Sequence, residues 1–245
     1  MIKLLYDAAL YLLLIVSLPK LFYDYLFKGK YRKSLMARVL PRPLKVTKKP
    51  LIWLHAVSMG ETKALSTLVP HVRKTYPHAF IYVTTISETG REEAKKRVFD
   101  ADAIGYLPLD FSWAIKNFVR KLKPSLLILV EGDYWFNLIN EAKRGGAKIV
   151  VVNGKLSEKS MKRYLAVTYF SRAVFNSIDH FCIQGESYLE RFLKLGISPE
   201  NLTITGNLKF DIPGEEKEDF EELKKRFDIR SNHRVITLGS THEGE

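Results

Sequence analysis

The chain has 245 residues, of which 46% are hydrophobic, and its 39 Lys and Arg outnumber its 27 Asp and Glu. This length fits one large domain or two smaller ones, and the hydrophobic content excludes a disordered chain. The single cysteine, Cys182, excludes an intrachain disulfide and favours a reducing compartment. The charge is uneven, because residues 1–50 carry eleven basic and two acidic side chains, a net +9 of the total +12.

The N-terminal segment combines an apolar run with a basic stretch. Residues 8–19 hold no charged side chain, and aromatic and basic residues follow between residues 22 and 33. A helix over residues 4–18 would span about 22 Å, which is less than the roughly 30 Å hydrocarbon core of a bilayer. Three interpretations are open at this point: a signal peptide, a buried core helix, and a short membrane anchor or half-inserted interfacial helix.

The third interpretation accounts for the most features, so we predict an N-terminal membrane anchor with a basic collar over residues 1–48. The aromatic residues suit a membrane interface, and the basic residues attract anionic lipid head groups. Because the basic residues follow the apolar run, the positive-inside rule places the body of the protein on the cytoplasmic face.

Beyond residue 50, strand and helix signals alternate along the chain. Apolar runs rich in β-branched and aromatic residues predict strands at 51–55, 80–84, 103–107, 125–130, 148–152, 180–183 and 202–205. Helical patterns lie between them at 62–76, 91–98, 112–123, 134–144, 158–175 and 187–195, the third capped by Asp110 or Ser112. Repeated β-α units with short connections predict an α/β domain with a doubly wound parallel sheet over residues 49–212.

The composition changes after residue 211. Pro213-Gly214 breaks the chain, residues 215–227 have the pattern of a charged amphipathic helix, and residues 234–239 have that of a strand. A strand followed by a Ser-Thr-His-Glu-Gly turn is typical of a new β-α unit. We therefore predict that a second α/β domain begins within residues 213–245 and that its remainder lies beyond Glu245.

The most informative turn follows the first predicted strand, where Ser58-Met-Gly leads to Glu61. Open parallel sheets bind ligands at the carboxyl ends of their strands, and Glu61 lies at such an end. It also lies in the first turn of the next helix, where the macrodipole favours the ionised form. A carboxylate held deprotonated at the mouth of a cleft suits a general base.

Polar residues follow three other predicted strands, and we expect them to meet Glu61 at one edge of the sheet. The groups are Glu131 with Asp133, Asn153 with Lys155, and Asn207 with Lys209 and Asp211. Two carboxylates and a lysine in one crevice would support proton removal and would stabilise negative charge. Each residue taken singly is equally compatible with a helix cap or a surface ion pair.

Several other classes of site are not expected. The histidines lack the spacing of metal ligands, and Cys182 has no second thiol, so we predict no metal. The glycine patterns of P-loops and dinucleotide-binding turns are absent. The basic helix faces are not interleaved with aromatic residues, so we predict no nucleic-acid partner.

Four segments, in this order, resemble the 3-deoxy-D-manno-octulosonic acid (Kdo) transferases of lipopolysaccharide synthesis. They are His-Ala-Val-Ser-Met-Gly-Glu at 55–61, Asn-Gly-Lys-Leu-Ser-Glu at 153–158, Thr-Gly-Asn-Leu-Lys-Phe-Asp at 205–211 and Gly-Ser-Thr-His-Glu-Gly-Glu at 239–245. The resemblance implies a GT-B glycosyltransferase, in which two Rossmann-like domains face a cleft. It also implies inverting transfer of Kdo from CMP-Kdo to a lipid A precursor (lipid IVA), with no cofactor.

The resemblance assigns roles to individual residues. Glu61 matches the general base of the family. Glu131 matches the glutamate that opens the family's Glu-Thr-Glu-Leu-Trp-Pro-Asn motif, and Lys209 matches the lysine of its Gly-x-Leu-Lys-Phe-Asp motif. Both resemble residues assigned to transition-state stabilisation, which for a lysine suits an anionic donor and leaving group.

The remaining assignments concern substrate contacts. We predict substrate-binding roles for Ser58, Gly60 and Asn153, and donor contacts at Ser240 and Thr241. In the family most contacts to CMP lie in the second domain. We therefore expect this chain alone to bind acceptor weakly and to have no transferase activity.

The chain departs from the family's pattern at two turns. Residues 131–137 read Glu-Gly-Asp-Tyr-Trp-Phe-Asn, and Asn153-Gly-Lys155 replaces a usual Asn-Ala-Arg. These variants are similar to a branch whose members add more than one Kdo, so the number and linkage of sugars stay open. Two alternatives from other classes also stay open: another GT-B nucleotide-sugar enzyme, and a non-catalytic membrane-associated α/β module.

Overall fold

The computed structural model describes residues 2–29, 31, 34–41, 44–212, 220–230, 232–237 and 239. The chain divides into two compact units, Met1–Ile212 and Pro213–Glu245. The first unit holds all of the strands in the described residues. It therefore contains the sheet edge at which the sequence predicts a site.

Strands and helices alternate through the first unit, with short connections between them. The strands are β1 (Leu51–His55), β2 (Phe80–Thr85), β3 (Ala103–Tyr106), β4 (Leu126–Val130), β5 (Lys148–Gly154), β6 (His180–Ile183) and β7 (Leu202–Ile204). The helices are α1 (Ile2–Phe27), α2 (Leu35–Val39), α3 (Met59–Thr75), α4 (Glu88–Arg97), α5 (Ser112–Leu122), α6 (Phe136–Arg144), α7 (Glu158–Ala166), α8 (Thr168–Phe175) and α9 (Glu186–Lys194). Short 3₁₀ turns occupy Pro199–Asn201 and Leu208–Asp211.

The seven strands form one parallel sheet in the order β3-β2-β1-β4-β5-β6-β7. The order reverses between β1 and β4, which is the switch point at which doubly wound sheets bind ligands. Every residue of β1 and β2 is buried, and an apolar cluster covers each face of the sheet. The predicted α/β fold with a doubly wound parallel sheet is confirmed.

Between residues 49 and 212 most predicted elements agree with the structure to within a few residues, but one helix does not. The sequence predicts a single helix over residues 158–175, whereas the chain forms α7 and α8 with a break at Val167. Ser171 Oγ donates a hydrogen bond to the Tyr164 carbonyl oxygen across this break, at 2.6 Å. The prediction of one long helix is therefore wrong, because a hydroxyl partner satisfies a carbonyl at the end of α7.

Asp110 does not cap α5, as the sequence predicted, and neither does Ser112, since Phe111 is the N-cap residue. The Asp110 carboxyl group is buried and accepts hydrogen bonds from the backbone N–H groups of Asn137 (3.0 Å) and Leu138 (2.9 Å). It thus accepts hydrogen bonds from two backbone N–H groups at the start of α6, the helix after the next strand. Burial raises the pKa of Asp110 to about 7, although these hydrogen bonds act to lower it.

Helix α1 is longer than the predicted span over residues 4–18. Its 26 residues extend about 39 Å, so by length and composition it is able to cross a membrane. Asp24 is its one buried residue among those described, which argues against a buried core helix. The side chains that would meet lipid are exposed, including Leu12, Leu13 and Val16.

The first turns of α1 are attached to the sheet domain by polar contacts. Lys3 pairs with Glu141 of α6 at 2.6 Å, and the Tyr6 hydroxyl donates to Asp110 at 2.9 Å. Asp7, a charge inside an otherwise apolar segment, accepts hydrogen bonds from the Ser112 N–H and the Asn137 side chain. The start of α1 is therefore a packed part of the first unit.

In the second unit the structure describes the helix α10 (Phe220–Arg226), which lies within the predicted 215–227. Residues 215–219 lie outside the described residues. The predicted strand over 234–239 is wrong for its described members, residues 234–237 and 239, which form no strand. A strand needs a neighbour to pair with, and the described residues of this unit contain none.

We predict that Asp110→Ala lowers the free energy of unfolding by about 2–4 kcal/mol, because the change leaves two buried N–H donors and the Tyr6 hydroxyl without their acceptor. Urea denaturation in neutral detergent, followed by circular dichroism, measures this loss. Asp100→Ala is the control, since Asp100 is exposed and a change there is expected to stay within about 0.5 kcal/mol. Equal effects of the two substitutions would contradict the role given to Asp110.

Candidate active site

The residues predicted from four strand ends meet at the carboxyl edge of the sheet. A cavity of 420 Å³ opens there, between the ends of β1, β4 and β5 and the helices α7 and α9. Its wall contains the carboxyl groups of Glu61, Glu131 and Asp133, and it is completed by Gly132, Lys155, Leu156, Ser157, Ser160, Tyr164, Tyr188 and Arg191. The size is that of a site for a small ligand or for part of a larger one.

Glu61 is fixed by reciprocal hydrogen bonds at the start of α3. Ser58 is the N-cap residue, and its Oγ accepts the Glu61 N–H at 3.2 Å while donating to Glu61 Oε1 at 2.8 Å. The other carboxyl oxygen, Oε2, accepts the Val57 N–H at 2.7 Å. This is a variant of the capping box, and it points the carboxyl group at the cavity.

The protonation of Glu61 differs from the sequence expectation. We expected the helix N-terminus to hold this carboxylate ionised, but burial raises the pKa of Glu61, and the nearby charge of Glu131 adds to the rise. The hydrogen bonds from Val57 and Ser58 oppose the rise without cancelling it. A raised pKa makes the carboxylate a stronger base at neutral pH than an ordinary glutamate.

Glu131 lies at the centre of a charge cluster, which we call the Glu131 cluster and define as Glu131, Lys155 and Lys209. Lys209 Nζ lies 2.7 Å from Glu131 Oε1, and Lys155 Nζ pairs with the other oxygen, Oε2. Burial alone would raise the pKa of Glu131, but the two lysines lower it below its ordinary value. With one carboxylate and two ammonium groups, the cluster carries a net charge of +1.

Two residues of the site have left-handed backbone conformations, which residues other than glycine rarely adopt. Glu131 has φ +66° and Asn153 has φ +55°, both at the ends of strands. Such left-handed conformations cost of order 1–3 kcal/mol in a residue other than glycine, and they concentrate at functional sites. The strain turns the Glu131 side chain into the cavity instead of continuing the alternation of β4.

Asn153 connects the cluster to the neighbouring loops. Its Nδ2 donates to Glu131 Oε1 at 3.3 Å, and its Oδ1 accepts the Leu208 N–H at 3.1 Å. The Gln184 side chain donates to the Asn153 carbonyl oxygen at 2.9 Å. Asn153 thus fixes the turn that carries Lys209. An amide suits this position because it donates one hydrogen bond and accepts another.

Gly60 leaves space beside the cluster. A Cβ atom at this position would lie 3.9 Å from Lys209 Nζ and 4.0 Å from Ser58 Oγ, with nothing nearer. The backbone does not require a glycine there, since Gly60 does not have a positive φ. The absent side chain therefore leaves open space beside Ser58 and Lys209.

Asp133 is the third carboxyl group of the cavity. Burial, with Glu61 and Glu131 close by, raises its pKa to about 6 against the attraction of Lys155. The Asp133 carboxyl group therefore loses its proton close to neutral pH. The sequence singled Asp133 out as a polar residue after a strand, but its electrostatic coupling to two other carboxyl groups depends on the fold.

His55, in contrast, belongs to the core. It is buried at the end of β1, and its Nδ1 lies 3.1 Å from the Thr84 carbonyl oxygen. Burial lowers the pKa of His55 to about 3, so the ring stays neutral. His55 is thus a core residue and does not line the cavity.

The structure brings together Glu61, Glu131, Lys209, Ser58, Gly60 and Asn153. Ser240 and Thr241, the predicted donor contacts, lie outside the described residues. Sequence reasoning missed Tyr164, Tyr188 and Arg191, which line the cavity from α7 and α9. The i, i+3 spacing of Tyr188 and Arg191 was the available signal, since it places the guanidinium 5.4 Å from the Tyr188 ring centroid.

The comparisons with known proteins point to one family. The family described as 3-deoxy-D-manno-octulosonic-acid transferase (kdotransferase) matches residues 32–212. The 3-deoxy-D-manno-octulosonic acid transferase of Chlamydia trachomatis serovar A is 39% identical over 243 residues, which is 97% of this chain and 56% of that protein. The Haemophilus influenzae transferase is 32% identical over 199 residues, 79% of this chain and 45% of that protein. The chain thus spans about half the length of the curated relatives it matches.

Solved structures support the fold. A UDP-N-acetylglucosamine 2-epimerase superimposes with a TM-score of 0.54 at 15% identity, over 73% of this chain and 55% of that chain. The Neisseria meningitidis enzyme bound to UDP-GlcNAc gives a TM-score of 0.52 at 12% identity, over 66% of this chain and 48% of that chain. At this identity the likeness concerns the fold alone, and it is that of a GT-B N-terminal Rossmann-like domain.

We predict that Lys155→Met raises the pKa of Glu131, because the carboxylate loses one of its two cationic partners while remaining buried. Carboxyl ¹³C NMR of glutamate-labelled protein measures this titration. Lys162→Met is the matched control, since Lys162 pairs with the exposed Glu158 on the outer side of α7. An unchanged Glu131 titration in Lys155→Met would show that Lys209 alone maintains the ionised state.

Proposed function

The chain belongs to the Kdo transferase family, and on this basis we propose that it provides the acceptor-side half of a Kdo transferase of lipopolysaccharide synthesis. In the proposed reaction Kdo passes from CMP-Kdo to a lipid A precursor (lipid IVA). The reaction needs no resident cofactor, because both the sugar and its leaving group come with the donor.

One arrangement carries this proposal: the raised-pKa carboxyl group of Glu61 lines a cavity together with Glu131 and Lys155 of the Glu131 cluster, and Lys209 pairs with Glu131. A base and a net cationic group close together suit a reaction between a neutral hydroxyl and an anionic donor. A purely structural carboxylate would have no need of open space beside it, yet Gly60 leaves such space.

The chemistry follows from these positions. Glu61 removes the proton of an acceptor sugar hydroxyl, and the oxygen attacks the anomeric carbon of Kdo. The bond from that carbon to the phosphate oxygen breaks on the opposite face, so configuration inverts and CMP leaves. Lys155 and Lys209 stabilise the negative charge of the donor and leaving group, while Glu131 holds both ammonium groups in place.

The donor half of the site belongs to the second domain in this proposal. Ser240 and Thr241 would contact the donor, and most contacts to CMP would come from chain beyond Glu245. This chain alone is therefore expected to bind acceptor weakly and to transfer no sugar. The number of Kdo residues added stays open, although Gly132, Asp133 and Lys155 are the residues of the cavity wall at which the chain departs from the usual family motifs.

We also propose that α1 associates with the cytoplasmic face of the inner membrane. Its length, its exposed apolar side chains and the basic residues that follow it support this placement. An acceptor with acyl chains lies in that membrane, so an attached enzyme meets its substrate at the bilayer surface.

The test is transfer of sugar from freshly generated CMP-Kdo to a tetraacylated lipid A precursor. It compares this chain with a longer protein that carries a second domain. Activity in the longer form alone would support the proposal, and activity in the short chain would mean that the donor site is misplaced. A folded but inactive longer form would favour another GT-B nucleotide-sugar enzyme or a non-catalytic module.

In the longer form, we predict that Glu61→Gln lowers kcat by about two to four orders of magnitude, as expected for loss of a general base. Mass spectrometry of the lipid product measures the rate, and circular dichroism monitors the fold. The matched control is Glu186→Gln, because Glu186 also lies in the first turn of a helix after a strand but is exposed. A kcat for Glu61→Gln close to that of the control would exclude Glu61 as the base.

We further predict that kcat/KM rises with pH through the pKa of Glu61. Since only the deprotonated form accepts the proton, activity is lost as the pH falls through this raised pKa. The acidic limb of the pH–rate profile should therefore lie above the range of an ordinary glutamate. The residual activity of Glu61→Gln should lack this limb, and a limb that persists unchanged in the variant would belong to another group.

A further inference from the structure

Two arginines, Arg38 on the short helix α2 and Arg91 on α4, have no carboxylate partner among the described residues. Arg38 is half-buried, and its Nε donates to the Leu107 carbonyl oxygen at 3.2 Å. The Nε of Arg91 is buried without a hydrogen-bond partner. Within the described part of the chain neither guanidinium forms an ion pair, although a charge removed from water normally requires one.

Both arginines lie at the end of β3. Arg91 lies over the Tyr106 ring, 5.1 Å from its centroid, and Arg38 Nε bonds the carbonyl oxygen of Leu107, the residue that follows Tyr106. Arg91 and Tyr106 line a cavity of 670 Å³ beside α2. The nearby Glu88 on α4 accepts the Ser34 N–H at 3.2 Å.

A second cavity of 560 Å³ lies between α1, α2 and the start of α5, and we call it the α1–α2 cavity. Its wall is apolar apart from Arg38 and includes Leu14, Leu18 and Phe22 of α1, Leu35 of α2 and Phe111 before α5. Met36 of α2 lines both cavities, so this one side chain contributes to each wall.

We infer that this region binds one anionic phospholipid of the bilayer, with its phosphate between Arg38 and Arg91 and an acyl chain in the α1–α2 cavity. Arginine matches phosphate oxygens with paired, charge-assisted hydrogen bonds, which would supply the missing counter-charge. The inference rests on the membrane association proposed for α1, and not on the transfer reaction.

The adjoining surface indicates a lipid as the occupant. The α1–α2 cavity is walled by the same helix whose exposed residues, including Leu12, Leu13 and Val16, would face hydrocarbon. An acyl chain could enter from the bilayer without crossing water. A free phosphate would satisfy the arginines and leave the cavity empty, and an acidic peptide would match the charge and not the apolar wall.

The cavity is also separate from the candidate active site. It shares no lining residue with the cavity that contains Glu61 and Glu131. A lipid bound at α2 would therefore orient the domain on the membrane without occupying the acceptor position. This distinguishes a bilayer lipid from the lipid substrate and allows the two to be tested independently.

The test is native mass spectrometry of the full chain in neutral detergent, titrated with dioctanoyl phosphatidylglycerol. We expect one bound lipid per chain and at least tenfold weaker binding of dioctanoyl phosphatidylcholine, which carries no net charge. The double variant Arg38→Gln with Arg91→Gln should weaken phosphatidylglycerol binding at least tenfold, because charge-assisted hydrogen bonds are lost. Leu35→Trp, which places a large ring in the α1–α2 cavity, should weaken it similarly.

Matched controls separate this site from general charge or hydrophobicity. Arg120→Gln removes an exposed arginine of α5, and Leu13→Trp enlarges an exposed residue of α1 outside the cavity, so both should bind as the unaltered chain does. Circular dichroism confirms the fold of each variant. Equal binding by all variants, or equal binding of the two lipids, would overturn the inference.

Two further outcomes would also overturn the inferred phospholipid site. Competition by inorganic phosphate at concentrations equal to those of phosphatidylglycerol would identify a site for a free anion. Displacement of phosphatidylglycerol by the lipid A precursor alone, with no displacement by other anionic phospholipids, would assign the region to the substrate. Because binding is measured without CMP-Kdo, failure of this test leaves the proposed transfer reaction unaffected.

Discussion

The candidate site depends on the pairing of one buried carboxylate with two lysines. Glu61, Glu131 and Asp133 line a single cavity, and three carboxylates so close would each resist ionisation. Burial, together with the charge of Glu131, raises the pKa values of Glu61 and Asp133, whereas Lys155 and Lys209 lower the pKa of Glu131 and keep it ionised. The three carboxyl groups therefore differ in pKa because only Glu131 is paired with two ammonium groups.

The sequence was sufficient to predict the sheet and the position of the site. Apolar runs at regular spacing identify parallel strands, and the polar residues that follow them must share the carboxyl edge, whatever the strand order. Glu61, Glu131 and Lys209 meet for this reason although 148 residues separate the first from the last. The Ser58-x-x-Glu61 spacing likewise predicts the helix start, because the capping bonds are local.

Properties that depend on tertiary neighbours could not be predicted from the sequence. The helix N-terminus suggested an ionised Glu61, but burial outweighs that dipole, and burial is known only from the fold. Asp110 looks like a local cap, yet its partners lie 27 and 28 residues away. The break at Val167 and the cavity contacts of Tyr188 and Arg191 depend in the same way on what packs against each helix.

The polar contacts at the start of α1 have a mechanical consequence. A hydrophobic segment joined to its domain by a flexible linker acts as a tether, and the domain can then tumble above the surface. Here the contacts of Lys3, Tyr6 and Asp7 attach the first turns directly to the domain. The helix is therefore a rigid attachment that limits tumbling of the domain. On a bilayer, the depth of the helix would set both the height and the tilt of the sheet edge that holds the candidate site.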